Sequence, residues 1–206
     1  RIGAASGGNH MSDDSAAGAA PNPGDQSETT GDRSARDPRR AYDDVIVNRV
    51  ESTRPPDELR RLRTDNEAIR EGWVAAGVVL DPADRVLVVD LADRGWALPG
   101  GTALPGEPLA ATAEREVREE TGVVADVVRP HGVHDEVLVA PDGSVPDTPF
   151  RVVHFELRTA EPAVPGDLAA LGDPDETVRA VEWREDLPNA IYGGDWTTRV
   201  YERITG

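Results

Sequence analysis

The chain has 206 residues, 38% hydrophobic and only 4% aromatic, and its 22 basic against 39 acidic side chains leave a formal charge of -17. That charge excludes a nucleic-acid polymer as partner, because phosphate contacts need basic patches whose counterion release supplies the affinity. No apolar run approaches the roughly 18 residues of a membrane span, and no charged-then-apolar start marks a secretory signal. The expectation is a cytoplasmic protein made of one domain with extensions, without membrane contact.

There is no cysteine and no lysine, so every basic side chain is arginine. Disulfides, thiolate nucleophiles, Cys-ligated zinc, Schiff bases and P-loop lysines are thereby excluded. An acidic excess without lysine resembles proteins of extreme halophiles, although a GC-rich genome favouring Arg, Ala, Gly and Asp produces a similar composition. Self-repulsion at this charge destabilises a compact state unless salt screens it, which favours salt adaptation.

Residues 1 to 10, RIGAASGGNH, have the look of a vector remnant ahead of Met11. Residues 11 to 40 are polar, acidic and rich in Gly, Pro, Ser and Asp, and predict a disordered leader. Residues 41 to 71 form an extension. AYDDVIVNRVES reads as a short strand, and Pro56, Asp57 and Glu58 open one helical run that Gly72 stops. This extension packs on the core, covers the active site or forms a surface for a possible homodimer.

A mixed α/β domain is predicted over 72 to 206. WVAAGVVL and RVLVVDL are apolar runs joined by DPAD, a hairpin signature. A short strand GWAL precedes a glycine-rich loop, PGGTALPGE, and a helix from about Pro108 to Thr121 ends at Gly122. Strands follow at 123 to 128, 133 to 140, 150 to 158 and 178 to 184, with a last helix near 195 to 204.

On the central helix, Glu116, Glu119 and Glu120 fall at i, i+3 and i+4 and share one face. Three like charges so close repel one another, and oxygen-only ligands favour a hard ion, Mg²⁺ first and Mn²⁺ as substitute. Leu109, Ala113 and Val117 repeat every four residues on another face and anchor the helix to the sheet, leaving the acidic face open to solvent and substrate. Taken alone, EREVREE reads as a solvated surface helix with pairs such as Arg115 with Glu119 or Glu114 with Arg118.

The stretch Gly101 to Val123, GTALPGEPLAATAEREVREETGV, resembles the complete box of the Nudix hydrolase family. Gly101 is followed after five residues by Glu107, after seven more by Arg115, Glu116 and Val117, then by Glu119, Glu120, Gly122 and Val123. The resemblance implies a Nudix-type α/β/α sandwich with a mixed sheet and a Mg-dependent diphosphohydrolase cleaving a nucleoside diphosphate linked to another group. It makes Glu116, Glu119 and Glu120 metal ligands, with the Gly101 carbonyl a further one. Glu107 and Arg115 pair to fix the loop, Gly101 and Gly106 serve its tight backbone, and Gly122 is a structural residue of the box. The general base is Glu116 within the box or Glu176 outside it, where Asp173 and Asp175 are neighbours.

Arg94, Trp96 and Arg151 are candidates for substrate contact, as are Arg85 and Arg158, and His131 with His134 reads as ordinary polar contacts. The WALPGG entry and compact size resemble family members acting on nucleoside triphosphates, including oxidised ones, with ADP-ribose or nucleotide sugars as the alternative. A non-catalytic Nudix-like domain that senses a nucleotide or binds a protein is the alternative of another class. The isomerase of the same fold is excluded by its need for cysteine.

Overall fold

A computed structural model of the chain describes residues 36–172 and 176–206. The elements run β1 (Ile46–Thr53), α1 (Pro56–Asp65), α2 (Glu67–Glu71), β2 (Trp73–Leu80), β3 (Val86–Leu91), β4 (Gly95–Ala97), β5 (Gly100–Thr102), α3 (Leu109–Thr121), β6 (Asp126–Val139), β7 (Thr148–Arg158), β8 (Val178–Arg184) and α4 (Gly194–Thr205). The strands make one mixed sheet in the order β1-β6-β7-β2-β3-β4, with β5 added to β2 and β8 to β3. β1 is parallel to β6 and β2 parallel to β7, while β6 and β7 run antiparallel.

Strand alternation gives the sheet two buried faces. Ala75 and Val79 of β2, with Val153, Phe155 and Leu157 of β7, pack against Leu109, Ala113 and Val117 of α3. On the opposite face Val78, Leu80 and Val86 pack against Trp196 and Val200 of α4. The expected α/β/α sandwich is therefore present, with α3 and α4 as its outer layers. No helix among the described residues is long and apolar enough to cross a membrane.

The hairpin between β2 and β3 closes on Asp81, whose carboxylate is 2% exposed. Its oxygens accept from the Ala83 and Arg85 amides at 2.9 Å and from the Arg85 guanidinium at 2.6 Å. Arg85 is thus engaged in the turn. Beyond Leu80 and Val86 the two strands diverge, because β2 pairs with β7 and β5 while β3 pairs with β4 and β8.

Four details differ from the sequence reading. The single helix expected over 56 to 71 is broken at Asn66, whose extended backbone ends α1 and whose side chain caps α2 by accepting from the Ile69 amide at 2.9 Å. The two strands expected at 123 to 128 and 133 to 140 are one long strand. Register shifts between Val127 and Arg129, and between Pro130 and Gly132, let it pass Pro130 without losing its partner. The glycine-rich loop contains β5, which pairs Gly101 with Ala75. Residues 1–35 of the expected vector remnant and leader lie outside the described residues. The leader's last five are seated on the fold: Pro38 to Arg40 form a 3-10 turn, and Arg39 joins Asp37 to Asp135 of β6. The extension packs through Leu59, which is fully buried with Leu138, Ala140 and Val145.

Candidate active site

α3 begins after Pro108 and ends at Gly122, whose left-handed backbone (φ 71°) suits glycine and whose amide bonds the Arg118 carbonyl at 2.9 Å. Its apolar stripe is anchored as expected, with Leu109, Ala113 and Val117 all buried. The polar side is where the structure departs from a simple solvated face.

Arg115 is the hub. Its Nε and Nη2 donate to the two oxygens of Glu107 at 2.9 Å, a bidentate pair, and Nη2 also donates to the Thr102 carbonyl at 3.0 Å. Nη1 donates to Glu116 at 2.8 Å and to Glu119 at 2.9 Å. Glu107 further accepts from the Leu104 amide at 3.0 Å and the Thr112 hydroxyl at 2.9 Å. These hydrogen bonds, led by that from Arg115, hold its pKa down to about 2. The loop from Thr102 to Glu107 is therefore tied to the helix by one guanidinium.

The acidic face is not open. Glu116 is 6% and Glu120 2% exposed, and only Glu119, with 40% of its side chain exposed, reaches solvent. Burial is possible because each inner carboxylate has a donor: Arg115 serves Glu116, and the Gly100 amide donates to Glu120 at 2.9 Å. Glu120 nonetheless has its pKa pushed well above the carboxylate range, first by burial and then by repulsion from Glu176, against the opposing pull of the Gly100 amide. Gly101 is required by proximity. A Cβ there would lie 2.5 Å from the Glu116 carboxylate.

Glu176 is brought to this cluster from the segment before β8. Arg94 Nη2 donates to it at 2.5 Å, and the Arg94 guanidinium lies 6.0 Å from the centre of the Tyr192 ring. Burial disfavours the Arg94 charge, but attraction to Glu176, Asp93 and Glu120 outweighs it and keeps its pKa raised. Asp173 and Asp175, the neighbouring candidates, lie outside the described residues.

The carboxylates Glu116, Glu119, Glu120 and Glu176 offer oxygen atoms only, the donor type that a hard divalent cation prefers. The close approach of buried Glu120 to Glu176 is a like-charge pair that such a cation would stabilise. Among the described residues no three His, Asp or Glu side chains stand in metal-holding geometry. Arg115 draws Glu116 and Glu119 towards the loop, so its guanidinium serves as the compensating cation for those two carboxylates.

Other candidates are placed elsewhere. Arg151 stacks on Trp73 with its guanidinium 5.1 Å from the ring centre. Its Nε lies 2.9 Å from an Asp135 oxygen, out of line for a hydrogen bond. Trp96 is half-buried beneath Arg184, 5.6 Å from its ring. Arg158 pairs with Asp84 and Glu156. His131 bonds Glu156 and His134 bonds Asn48, both at 3.0 Å, so the two histidines make separate polar contacts. Sequence reasoning missed the Gly100 amide and Tyr192. The first has only the WALPGG loop as a signal, and the second reaches the site through a long-range bond from its amide to the Trp96 carbonyl at 2.7 Å.

Residues 71–190 match the sequence model of the NUDIX domain. The chain belongs to the NUDIX family. A stretch of 57 residues, 25% of this chain, is 51% identical to mouse "Nucleoside diphosphate-linked moiety X motif 6", of which it covers 18%. Among solved structures, a MutT NUDIX hydrolase from Burkholderia pseudomallei is 23% identical, covering 64% of this chain and 96% of that one at a TM-score of 0.43. An Ap4A hydrolase from C. elegans is 17% identical over 64% of this chain and 95% of its own, at a TM-score of 0.44.

Proposed function

We propose that the chain is a divalent-metal-dependent diphosphohydrolase acting on a nucleoside diphosphate derivative, with nucleoside triphosphates, including oxidised ones, as the favoured class. The observation that carries this reading is the carboxylate cluster on α3, where buried Glu120 meets Glu176 beside Arg94. Glu116, Glu119, Glu120 and the Gly101 carbonyl would hold the ion. Magnesium, with manganese as substitute, would supply positive charge that neutralises the diphosphate and makes water more acidic.

The chain's own residues do the rest. Glu107 and Arg115 keep the Thr102–Glu107 loop against the helix, so that backbone can approach phosphate. Arg94 orients Glu176, which takes the proton of the attacking water as the new phosphorus–oxygen bond forms and the anhydride bond breaks. Arg94 also offers a guanidinium to the substrate's phosphate or, with Tyr192, to its base. The acidic, lysine-free composition fits a cytoplasm with high salt, in which an anionic substrate reaches an anionic protein because charges are screened within about 3 Å at 1 M.

The test is a hydrolysis screen in about 2 M KCl, a strongly screening salt level, across nucleoside triphosphates, an oxidised guanine nucleotide, ADP-ribose, dinucleoside polyphosphates and nucleotide sugars. Metal-dependent turnover of a triphosphate that is lost in Glu120→Gln is the expected result. Turnover that survives the substitution would remove α3 from the mechanism.

A further inference from the structure

Away from the carboxylate cluster, the extension, the start of β2 and the start of β7 line an open cavity of about 260 Å³. Arg63 of α1, Arg70 of α2 and Arg151 of β7 line it together with Glu71, Trp73 and Thr148. Three arginines beside the single carboxylate of Glu71 give this cavity a local excess of positive charge, in a chain whose net charge is -17.

The hydrogen bonds of Arg63 and Arg70 leave the charge of these two side chains available. Arg63 donates to the Thr148 hydroxyl at 2.7 Å and the Pro146 carbonyl at 3.3 Å, and Arg70 donates to the Thr64 carbonyl at 2.8 Å. These partners are neutral. They orient the two side chains without cancelling their charge. Arg151 is held in place by the Trp73 ring and by Asp135, whose carboxylate is shared with Arg39. Trp73 is 2% exposed and forms a rigid wall. The break at Asn66 sends α2 off in a new direction, and Arg70 lines the cavity from that second helix.

We propose that this cavity binds a small phosphate ester bearing hydroxyl groups, of the sugar-phosphate class. Planar guanidiniums match the oxygens of a phosphate in paired hydrogen bonds. The cavity is larger than a bare phosphate fills, and Glu71 is an acceptor for the hydroxyls of the organic part. The site is independent of hydrolysis at α3, since none of its lining residues belongs to the carboxylate cluster.

The probe is ribose 5-phosphate, titrated calorimetrically into the full chain without divalent metal in about 0.15 M salt, where surface charge is screened beyond about 8 Å. Saturable binding is expected in the wild type, in Glu120→Gln, and in Arg61→Gln, which removes a charge from α1 outside the cavity. Binding should weaken about tenfold or more in Arg63→Gln and in Arg70→Gln, the scale of one charge-assisted hydrogen bond. Inorganic phosphate should compete. Equal affinity in all variants, loss in Glu120→Gln, or failure of phosphate to compete would each overturn the assignment. If Arg63→Gln unfolds, Arg70→Gln decides, because among the described residues the Arg70 side chain bonds only the Thr64 carbonyl, within the extension.

Discussion

The two long helices of the core, α3 and α4, are similar in length, 13 and 12 residues, and each buries one face against the same sheet from opposite sides. They differ in how polar groups are treated. On α3, two carboxylates are buried, yet each has a named donor, and a single arginine ties three glutamates and a carbonyl together. On the α4 side, the buried His154 Nδ1 and Trp196 Nε1 have no hydrogen-bond partner among the described residues, and the two rings meet edge to face at 6.1 Å. Buried polarity that is satisfied can be positioned for chemistry. Buried polarity without a partner is a cost the apolar packing of Val200 and its neighbours must outweigh.

That contrast is sharpest in the response of activity. Glu120→Gln should reduce turnover about a thousandfold while leaving the fold intact, since the amide keeps the size of the side chain and relieves the repulsion from Glu176. Steady-state hydrolysis with circular dichroism as the folding control tests this, and unchanged turnover would make α3 merely structural. Arg115→Ala should destabilise by about 3–5 kcal/mol, because buried Glu116 loses its ion pair and Glu107 its bidentate partner. Urea unfolding measures the loss. A change below 1 kcal/mol, about the worth of a surface pair, would show that the hub is dispensable.

The α4 side should announce itself through pH. Burial, aided by repulsion from His134, lowers the His154 pKa from 6.5 to about 4. Between these values the unfolded chain binds the proton and the folded chain does not. Titration of this group therefore costs nothing above pH 6.5 and destabilises the fold increasingly as pH drops towards 4, by up to about 3 kcal/mol. Urea midpoints at pH 7, 5.5 and 4 should follow that slope, and His154→Leu should flatten it. Glu107 acts at still lower pH, its stabilisation being lost as pH falls from 4.5 to about 2.

Paired glycine substitutions give the smallest effects and the cleanest division. A Cβ on Gly132 would lie 2.7 Å from Val200 and 2.9 Å from Trp196, so Gly132→Ala should cost about 1–3 kcal/mol of stability with little change in turnover. In Gly101→Ala the added carbon would displace the Glu116 carboxylate, and turnover should fall more than stability. Equal effects of the two substitutions on both readouts would erase the distinction between the helices.

Much of the fold was legible because its signals are local. The apolar runs of β2 and β3, the four-residue repeat of Leu109, Ala113 and Val117, and Gly122 as a helix stop all depend on residues close in the chain. The Glu107–Arg115 pair was also legible, from its place in the motif. The break at Asn66 was not, because a capping side chain competes with helix propagation only once the surrounding packing favours the turn. Nor was the continuity of β6 through Pro130, which needs β7 alongside to absorb two register shifts.

By itself, then, the sequence determined the class of fold, the spacing that gathers three glutamates on one helix, and the oxygen-only character of the donor set, because periodicity and residue type suffice for these. Tertiary structure alone decided that Glu116 and Glu120 are buried and Glu119 is not, that Glu176 and Arg94 join them from distant segments, and that Arg151 belongs with Trp73 instead. Burial and long-range pairing depend on which surfaces meet, and helical or strand period says nothing of what lies across the gap.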